Sequence, residues 1–441
     1  MSIDIKNNFY TFSKHINYLH KFDFLNTNVL ELVKFFYGGI KMDVKNKIIT
    51  ISGEPVTGKG TNVKAIKEKL IKKGYKEENI HIITTGHEFR RYFEVIMDFV
   101  RNIDNEEKLK ALYEREEIKS IFNNSDYKNK FTKELAKLKQ SRKDFTKTLS
   151  IEQANNTPEL SGIREIVDTL IDQNVVKLGI EINKKRRPEE VWIVDSRLAF
   201  NNIPKSFKVR LTCRPEVAGQ RLLGDNTRGK EDSKYKNLQD AINQREKRRI
   251  GEIERYKQRY GVDLSNENNY DVIIDTSYAS INDISDTILT CLNAYQNNEK
   301  VSKYWTSPKV FIPTQKIGLT CGVGFSGFTL DELTYLIQKR GFNQKCAIEV
   351  AEVEDVMYIM DGHHRNFALV QANKTLVPYY KLNDVAPFMM ETAKSDLKSR
   401  NMISNLHDHE MIIGRDFHYS QIYPDLIKKL QRYKDESENE R

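Results

Sequence analysis

"KIITISGEPVTGKGTNVKAIKEKL", residues 47–70, is the stretch that decides the fold. "KIITIS" is a run of apolar and β-branched residues, which predicts a buried strand. "GEPVTGKGT" reads as a turn, and Val63, Ile66 and Leu70 then recur at helical spacing until Gly74 stops them. Gly53, Gly58 and Lys59 fit the spacing G-x-x-x-x-G-K, with Gly60 where that pattern usually carries Ser or Thr and Thr61 one place later. Glycines let backbone N–H groups turn inward around a phosphate, Lys59 supplies charge, and the helix beginning near Thr61 adds its positive end. The competing reading is a glycine turn with an incidental lysine. The strand on one side and the amphipathic helix on the other favour a phosphate loop.

Further strand-like runs occur at "NIHIITT", "VWIVD", "FKVRLT" and "YDVIIDT", with helical segments at 215–223, 238–260 and 281–294. Strands alternating with helices predict an α/β fold with a parallel sheet covered on both faces. Residues 1–45 are rich in aromatics and are expected as a helical extension, and residues of about 95–155 read as an insertion rich in Lys, Glu and Asn. That insertion reads either as charged helices on the outside or as a solvated spacer. "QNNEKVSKYWT" at 296–306 interrupts the rhythm and marks a domain boundary, so residues 46–295 and 305–385 are expected as separate domains, with a helical, charged tail over 386–441.

The chain has 441 residues, 39% of them hydrophobic, enough to bury a core in roughly two to three domains. Its 71 Lys and Arg against 62 Asp and Glu leave a formal charge of +9, which favours anionic partners such as nucleotides, with nucleic acid as a further candidate. Cys213, Cys291, Cys321 and Cys346 show no C-x-x-C spacing and suit free buried thiols in a reducing compartment. The N-terminus carries no secretory pattern and no long apolar run occurs, so a cytoplasmic protein without a membrane partner is expected.

A second turn stands in "MDGHHRNFAL", residues 360–369. Asp361 ends a strand, Gly362 turns the chain, and His363, His364 and Arg365 occupy the first turn of a helix, an arrangement suited to an anion. The alternative is that Asp361 caps the helix, Gly362 makes the turn and the histidines are surface residues. In "NLHDHE", residues 405–410, adjacent His, Asp and Glu side chains point apart on a helix and alternate on a strand, which argues against a metal site.

Several segments together resemble the cytidylate kinase family of nucleoside monophosphate kinases over roughly residues 46–295. "TTGHEFRRYF" is similar to that family's segment ending in G-x-x-F-R, "VDSRLAF" to its strand-end segment, "LTCRPEVAGQRL" to the strand and helix before its lid, and "RRIGEIERYKQRYGVD" to its lid helix. The resemblance implies an ATP-dependent, Mg²⁺-requiring phosphotransferase acting on a nucleoside monophosphate, with CMP or dCMP as acceptor. It implies that Gly53, Gly58, Lys59, Gly60, Thr61 and Arg221 hold the donor, Arg90 and Arg197 the acceptor, and Arg248 and Arg255 the transferring group, with Lys59 catalytic as well. Thr61 and Asp195 would organise Mg²⁺, although Asp195 reads equally as a strand-end cap. A mobile lid is expected at about 223–237, with Arg228 at its tip. Asp168 corresponds to an acidic residue near the acceptor, or is an exposed helix charge.

Around the second turn the chain resembles the ParB/sulfiredoxin-like superfamily, whose D-G-x-H-R motif contacts a nucleotide phosphate. The implied architecture is thus a P-loop kinase domain with a lid plus a smaller α+β domain over 305–385. Asp361, Gly362, His363, His364 and Arg365 would bind a second nucleotide or phosphorylated ligand there. Two alternatives remain: a nucleotide-binding regulator acting through the second domain on DNA or a protein, and a kinase for another small acceptor such as free serine.

Overall fold

The computed structural model describes residues 47–102, 104–140, 157–184, 187–224, 235–315, 329–342, 346–386, 388–399, 401–413 and 417–439. The N-terminal extension, the later part of the insertion, most of the expected lid with Arg228, and Cys321 lie outside them. The chain begins with β1 (Lys47–Gly53), α1 (Lys59–Lys72) and β2 (Ile80–Thr84). Five helices follow: α2 (Thr85–Arg101), α3 (Glu106–Tyr113), α4 (Glu116–Phe122), α5 (Ser125–Gln140) and α6 (Ser161–Lys184). Then come β3 (Val191–Asp195), α7 (Ala199–Asn202), β4 (Phe207–Thr212), α8 (Pro215–Gly224), α9 (Leu238–Tyr260), β5 (Val272–Asp275) and α10 (Ile281–Gln296).

The remainder comprises β6 (Tyr304–Thr306), β7 (Phe311–Pro313), α11 (Leu330–Arg340), β8 (Ile348–Val353), β9 (Val356–Asp361), α12 (His363–Gln371) and β10 (Val377–Lys381). The helices α13 (Leu382–Val385), α14 (Met389–Ser399), α15 (Met402–Ile413) and α16 (Leu426–Asn439) complete it. All strands belong to one 10-stranded sheet ordered β2-β3-β1-β4-β5-β6-β10-β8-β9-β7. It is mixed but mostly parallel, with antiparallel pairing only between β6 and β10 and between β8 and β9.

The central strands are apolar nearly throughout, because a parallel strand buries both of its faces. Ile49, Ile51, Val191, Ile193, Val209, Leu211, Val272 and Ile274 pack with Val63, Ile66 and Leu70 of α1 and with Ile284 and Ile288 of α10. The sheet does not stop at residues 296–306. Ile273 and Ile274 of β5 pair with Tyr304 and Trp305 of β6, and Trp305 and Leu376 join the same core. The described part of the charged insertion is helical and shares a core with α6, in which Phe99, Ile118, Ile121 and Phe131 are buried with Ile163 and Ile166 of α6. Its apolar residues are spaced by three and four, so they converge on one face of each helix.

Strand order places the loop after β1. Strand β1 lies between β3 and β4, and the chain leaves it first toward β2 and β3 and later returns to β4 on its other side. The carboxyl ends of β1, β3 and β4 therefore border the crevice where doubly wound sheets accommodate ligands. Two of the expected buried thiols, Cys213 and Cys291, are indeed buried, whereas Cys346 is exposed just before β8.

Candidate functional site

Backbone conformation shapes the loop after β1. Gly53 has φ 155°, and a Cβ there would lie 2.5 Å from the Leu211 carbonyl oxygen, so only glycine lets β1 end so close to β4. Gly58 is left-handed at φ 80° and forms the N-cap of α1. The loop is closed on itself: the Thr57 hydroxyl donates to the Glu54 carbonyl at 3.0 Å and the Asn62 amide donates to the Gly58 carbonyl at 2.9 Å. The Asn62 Oδ1 is buried without a partner.

The Lys59 ammonium donates to the carbonyls of Gly53 at 2.8 Å and Glu54 at 3.1 Å. Burial, reinforced by the neighbouring Arg197 guanidinium, lowers its pKa to about 7. Arg197, after β3, also donates to the Gly53 carbonyl and grips Glu252 of α9 with two nitrogens, at 2.9 and 3.3 Å. Burial would raise the Glu252 carboxyl, but Arg197 and Arg248 outweigh it and hold its pKa at about 2. Asp195 is buried at the end of β3; burial raises its carboxyl, opposed by the charges of Lys59 and Arg197.

Arg221 of α8 braces the loop by donating to the Val56 carbonyl at 3.3 Å and the Thr276 carbonyl at 2.6 Å, just beyond β5. Arg248 is half-exposed and donates to Glu252 at 3.2 Å. The Arg255 guanidinium lies 5.2 Å from the ring centre of Tyr256 and within the field of Asp168 and Glu252. Gly60 and Thr61 are exposed at the start of α1, and Arg90 is exposed on α2. That helix meets the site through Thr85, whose hydroxyl donates to the Asp195 carbonyl at 3.3 Å. Lys59, Arg197, Asp195, Arg221 and Arg248 are thus gathered around one loop, directly or through Glu252.

The sequence reading missed Glu54 as a participant. Its carboxylate lies 2.7 Å from Arg245, 3.6 Å from Arg210 and 4.0 Å from Arg249. Arg245 is buried and also donates to the Cys213 carbonyl at 3.2 Å. A signal was available, since Arg245, Arg249 and Glu252 recur at i, i+4 and i+7 and so form one face of α9. Asp168, for which an exposed helix charge is one sequence reading, is half-buried and faces Arg259 at 3.6 Å. Nearby, Asp172 receives the Tyr260 hydroxyl. Burial drives the Asp172 pKa up to about 7 against the pull of that hydrogen bond.

At the second turn, Gly362 is left-handed at φ 99° and caps α12. Arg365 is engaged within the protein: it folds back over the turn onto Asp361 and donates to the carbonyls of Cys346 at 2.7 Å and Ala347 at 2.9 Å. His363 is buried and receives the Thr314 amide at 3.1 Å, and His364 carries a buried nitrogen without a partner. In α15, His409 is buried against Phe367 and hydrogen-bonds Tyr419, while Glu410 receives the Tyr419 amide. Among the described residues no group of three or more His, Cys, Asp or Glu side chains is placed to hold a metal ion. No helix among them is long and apolar enough to cross a membrane.

No family model matches the chain. Over 200 residues, 45% of this chain, it is 32% identical to an S-adenosylmethionine-dependent nucleotide dehydratase of Lacinutrix mariniflava. The matched part is 36% of that relative, so the chain spans about a third of its length. A solved structure of an uncharacterized protein from Eubacterium ventriosum is similar at 12% identity over 56% of this chain and 99% of that one, with a TM-score of 0.31, too slight to bear on the fold.

These findings overturn the kinase reading. A cytidylate kinase-like enzyme joined to a ParB/sulfiredoxin-like domain, ATP and Mg²⁺ as its cofactors, and the attached alternatives of a DNA- or protein-directed regulator and a serine kinase are replaced by likeness to a protein named for nucleotide dehydration. The physical reason for the error lies in the motifs. G-x-x-x-x-G-K spacing specifies a backbone turn before a helix, and here Lys59 turns its ammonium onto that turn's own carbonyls. Asp195, expected beside Mg²⁺, sits instead in the field of two protein cations.

Proposed function

We propose that this chain binds a nucleotide by its phosphates at the loop from Gly53 to Thr61, and that it serves nucleotide modification of the kind its relative is named for, S-adenosylmethionine-dependent dehydration. The observation that carries this reading is the convergence of Lys59, Arg197 and Arg221 on a turn at the carboxyl ends of β1 and β3, with Arg248 joined to it through Glu252. The left-handed Gly58 starts α1 there, so the first N–H groups of the helix join those cations in attracting an anion. The relative's name supplies the nucleotide class.

S-adenosylmethionine does not fit this site. Its sulfonium is a cation, and the carboxylates here already face protein cations: Glu54 and Glu252 are paired with arginines, and Asp195 lies in the field of Lys59 and Arg197. The loop is therefore assigned to the nucleotide, whose phosphates present their charge to Lys59 and to the first N–H groups of α1. Lys59 and Arg197 would leave the Gly53 carbonyl for the phosphate oxygens, a charge-assisted exchange that orients the sugar and base outward from the turn.

The test is isothermal titration of the full chain with the mono-, di- and triphosphates of adenosine, cytidine, guanosine and uridine, with the four nucleosides as controls. Binding that requires at least one phosphate, and that weakens at least about ten-fold in Lys59→Ala, is expected, since a charged hydrogen bond contributes about 1.5–3 kcal/mol. Equal binding of nucleosides and nucleotides, or unchanged affinity in Lys59→Ala, removes the loop from nucleotide recognition.

A further inference from the structure

Three arginines surround Glu54, of which Arg249 is also gripped by Glu246 at 2.6 Å. Arg245 is 2% exposed along its side chain and reaches Glu54 at 2.7 Å, while Arg210 and Arg249 approach the other carboxylate oxygen at 3.6 and 4.0 Å. Beside them is a cavity of about 30 Å³, lined by Gly53, Arg197, Arg210, Arg249 and Glu252. That room suits a water molecule or two and excludes a phosphate. Glu54 belongs to the loop that holds Lys59, so its carboxylate is carried on the same turn as the anion site.

We propose that Arg210, Arg245 and Arg249 form a second anion socket, that its intended occupant is a further phosphate group of the nucleotide bound at the loop, and that Glu54 occupies it as an internal substitute. A carboxylate and a phosphate present similar oxygens to a guanidinium fork, so one replaces the other without rearranging the arginines. Withdrawal of the Glu54 side chain adds its volume to the existing cavity and makes the room that the cavity alone lacks. The socket is a selectivity device: a ligand must displace a prepaired carboxylate, which a polyphosphate tail with its several charges does better than a lone phosphate. Buried Arg245 keeps a counter-charge in both states, avoiding the cost of an unpaired buried cation.

This inference rests on the nucleotide reading above. The test measures binding of inorganic pyrophosphate to the full chain and to Glu54→Gln by titration calorimetry. Removing the internal competitor should tighten pyrophosphate binding at least about five-fold. Unchanged or weaker binding in a folded Glu54→Gln protein overturns the proposal, because it makes Glu54 a brace of the loop. Arg249→Gln, at a partly exposed position, keeps the claim testable if Glu54→Gln does not fold. It should weaken pyrophosphate at least about three-fold, and an unchanged affinity overturns the socket. The two readings fail separately: pyrophosphate tightened by Glu54→Gln with no nucleotide bound keeps the arginine socket with Glu54 as its substitute, but ends the nucleotide assignment and with it the named occupant. Nucleotide binding that depends on Lys59 but ignores Glu54 and Arg249 does the reverse.

Discussion

Ligand binding at the loop should take up a proton, and the proton belongs to Lys59. Burial and the adjacent Arg197 charge hold the Lys59 pKa at about 7, so near pH 8 the free amine is mostly neutral and can rest on the carbonyls of Gly53 and Glu54 as an ordinary donor. A bound phosphate returns the pKa to at least its usual range near ~10.4. Nucleotide binding at pH 8 should then take up ~0.9 proton, and at pH 6 only ~0.1, by the titration of a group of pKa about 7. Affinity should fall with pH above 7, by about 50-fold between pH 7 and pH 9 if only the charged amine binds. Below pH ~6 a terminal phosphate gains its own proton and affinity should fall again, so the maximum lies between about 6 and 7. The assay is calorimetry at pH 8 in two buffers of unlike ionisation enthalpy, whose difference in apparent heat counts protons. An uptake near zero at pH 8, or the same uptake in Lys59→Met, would refute the assignment of the proton to Lys59.

Gly53→Ala should lower stability by about 1–3 kcal/mol in chemical denaturation, because its Cβ would lie 2.5 Å from the Leu211 carbonyl oxygen and the turn would have to shift. Asp172, whose folded pKa of about 7 lies above its unfolded value, binds its proton more tightly in the folded protein. Its contribution is complete below pH ~4 and is lost as pH rises toward about 7, so Asp172→Asn should flatten the wild-type decline in stability across that window. Trp305→Ala should cost about 3–5 kcal/mol and lower the melting of the whole chain in one transition, since Trp305 is buried where β5 meets β6. Separate melting of residues before and after 296 would contradict that.

Much of the sheet was legible because parallel strands are written as apolar runs. "KIITIS", "VWIVD", "FKVRLT" and "YDVIIDT" correspond to β1, β3, β4 and β5, and all pair in parallel. The continuation past residue 296 was not legible, since β6 is three residues long and its signal is hidden among polar neighbours in "QNNEKVSKYWT". Its pairing is a tertiary fact, made by where Tyr304 and Trp305 land beside β5. The site divides similarly. Gly53, Gly58 and Lys59 are local, fixed by a turn within a few residues, and sequence spacing finds them. Glu54 with Arg245, or Arg197 with Glu252, joins residues 191 and 55 positions apart, and only the packing of α9 over the loop brings them together. The kinase resemblance failed at this point, since motif order constrains the chain path but not which donors face which acceptors.

The extended sheet also bears on how the loop is held. Thr276, just beyond β5, places its hydroxyl 3.1 Å from the Thr57 carbonyl and 3.0 Å from the Thr212 carbonyl, and receives Arg221 at 3.2 Å. A single hydroxyl has one proton to give, so these carbonyls share it, and the position of the end of β5 sets which is favoured. That strand end is fixed from the other side: Asp275 receives the Thr306 hydroxyl of β6 at 3.1 Å. Arg214, beyond β4, donates to the Ile422 carbonyl at 3.2 Å and lies 4.4 Å over the ring of Tyr423. Residues beyond 300 thus hold the ends of β4 and β5, and the β5 end reaches the loop through the Thr276 hydroxyl on the Thr57 carbonyl. Because close-packed interiors transmit strain, a shift of β6 would reach Thr57 through Asp275 and Thr276.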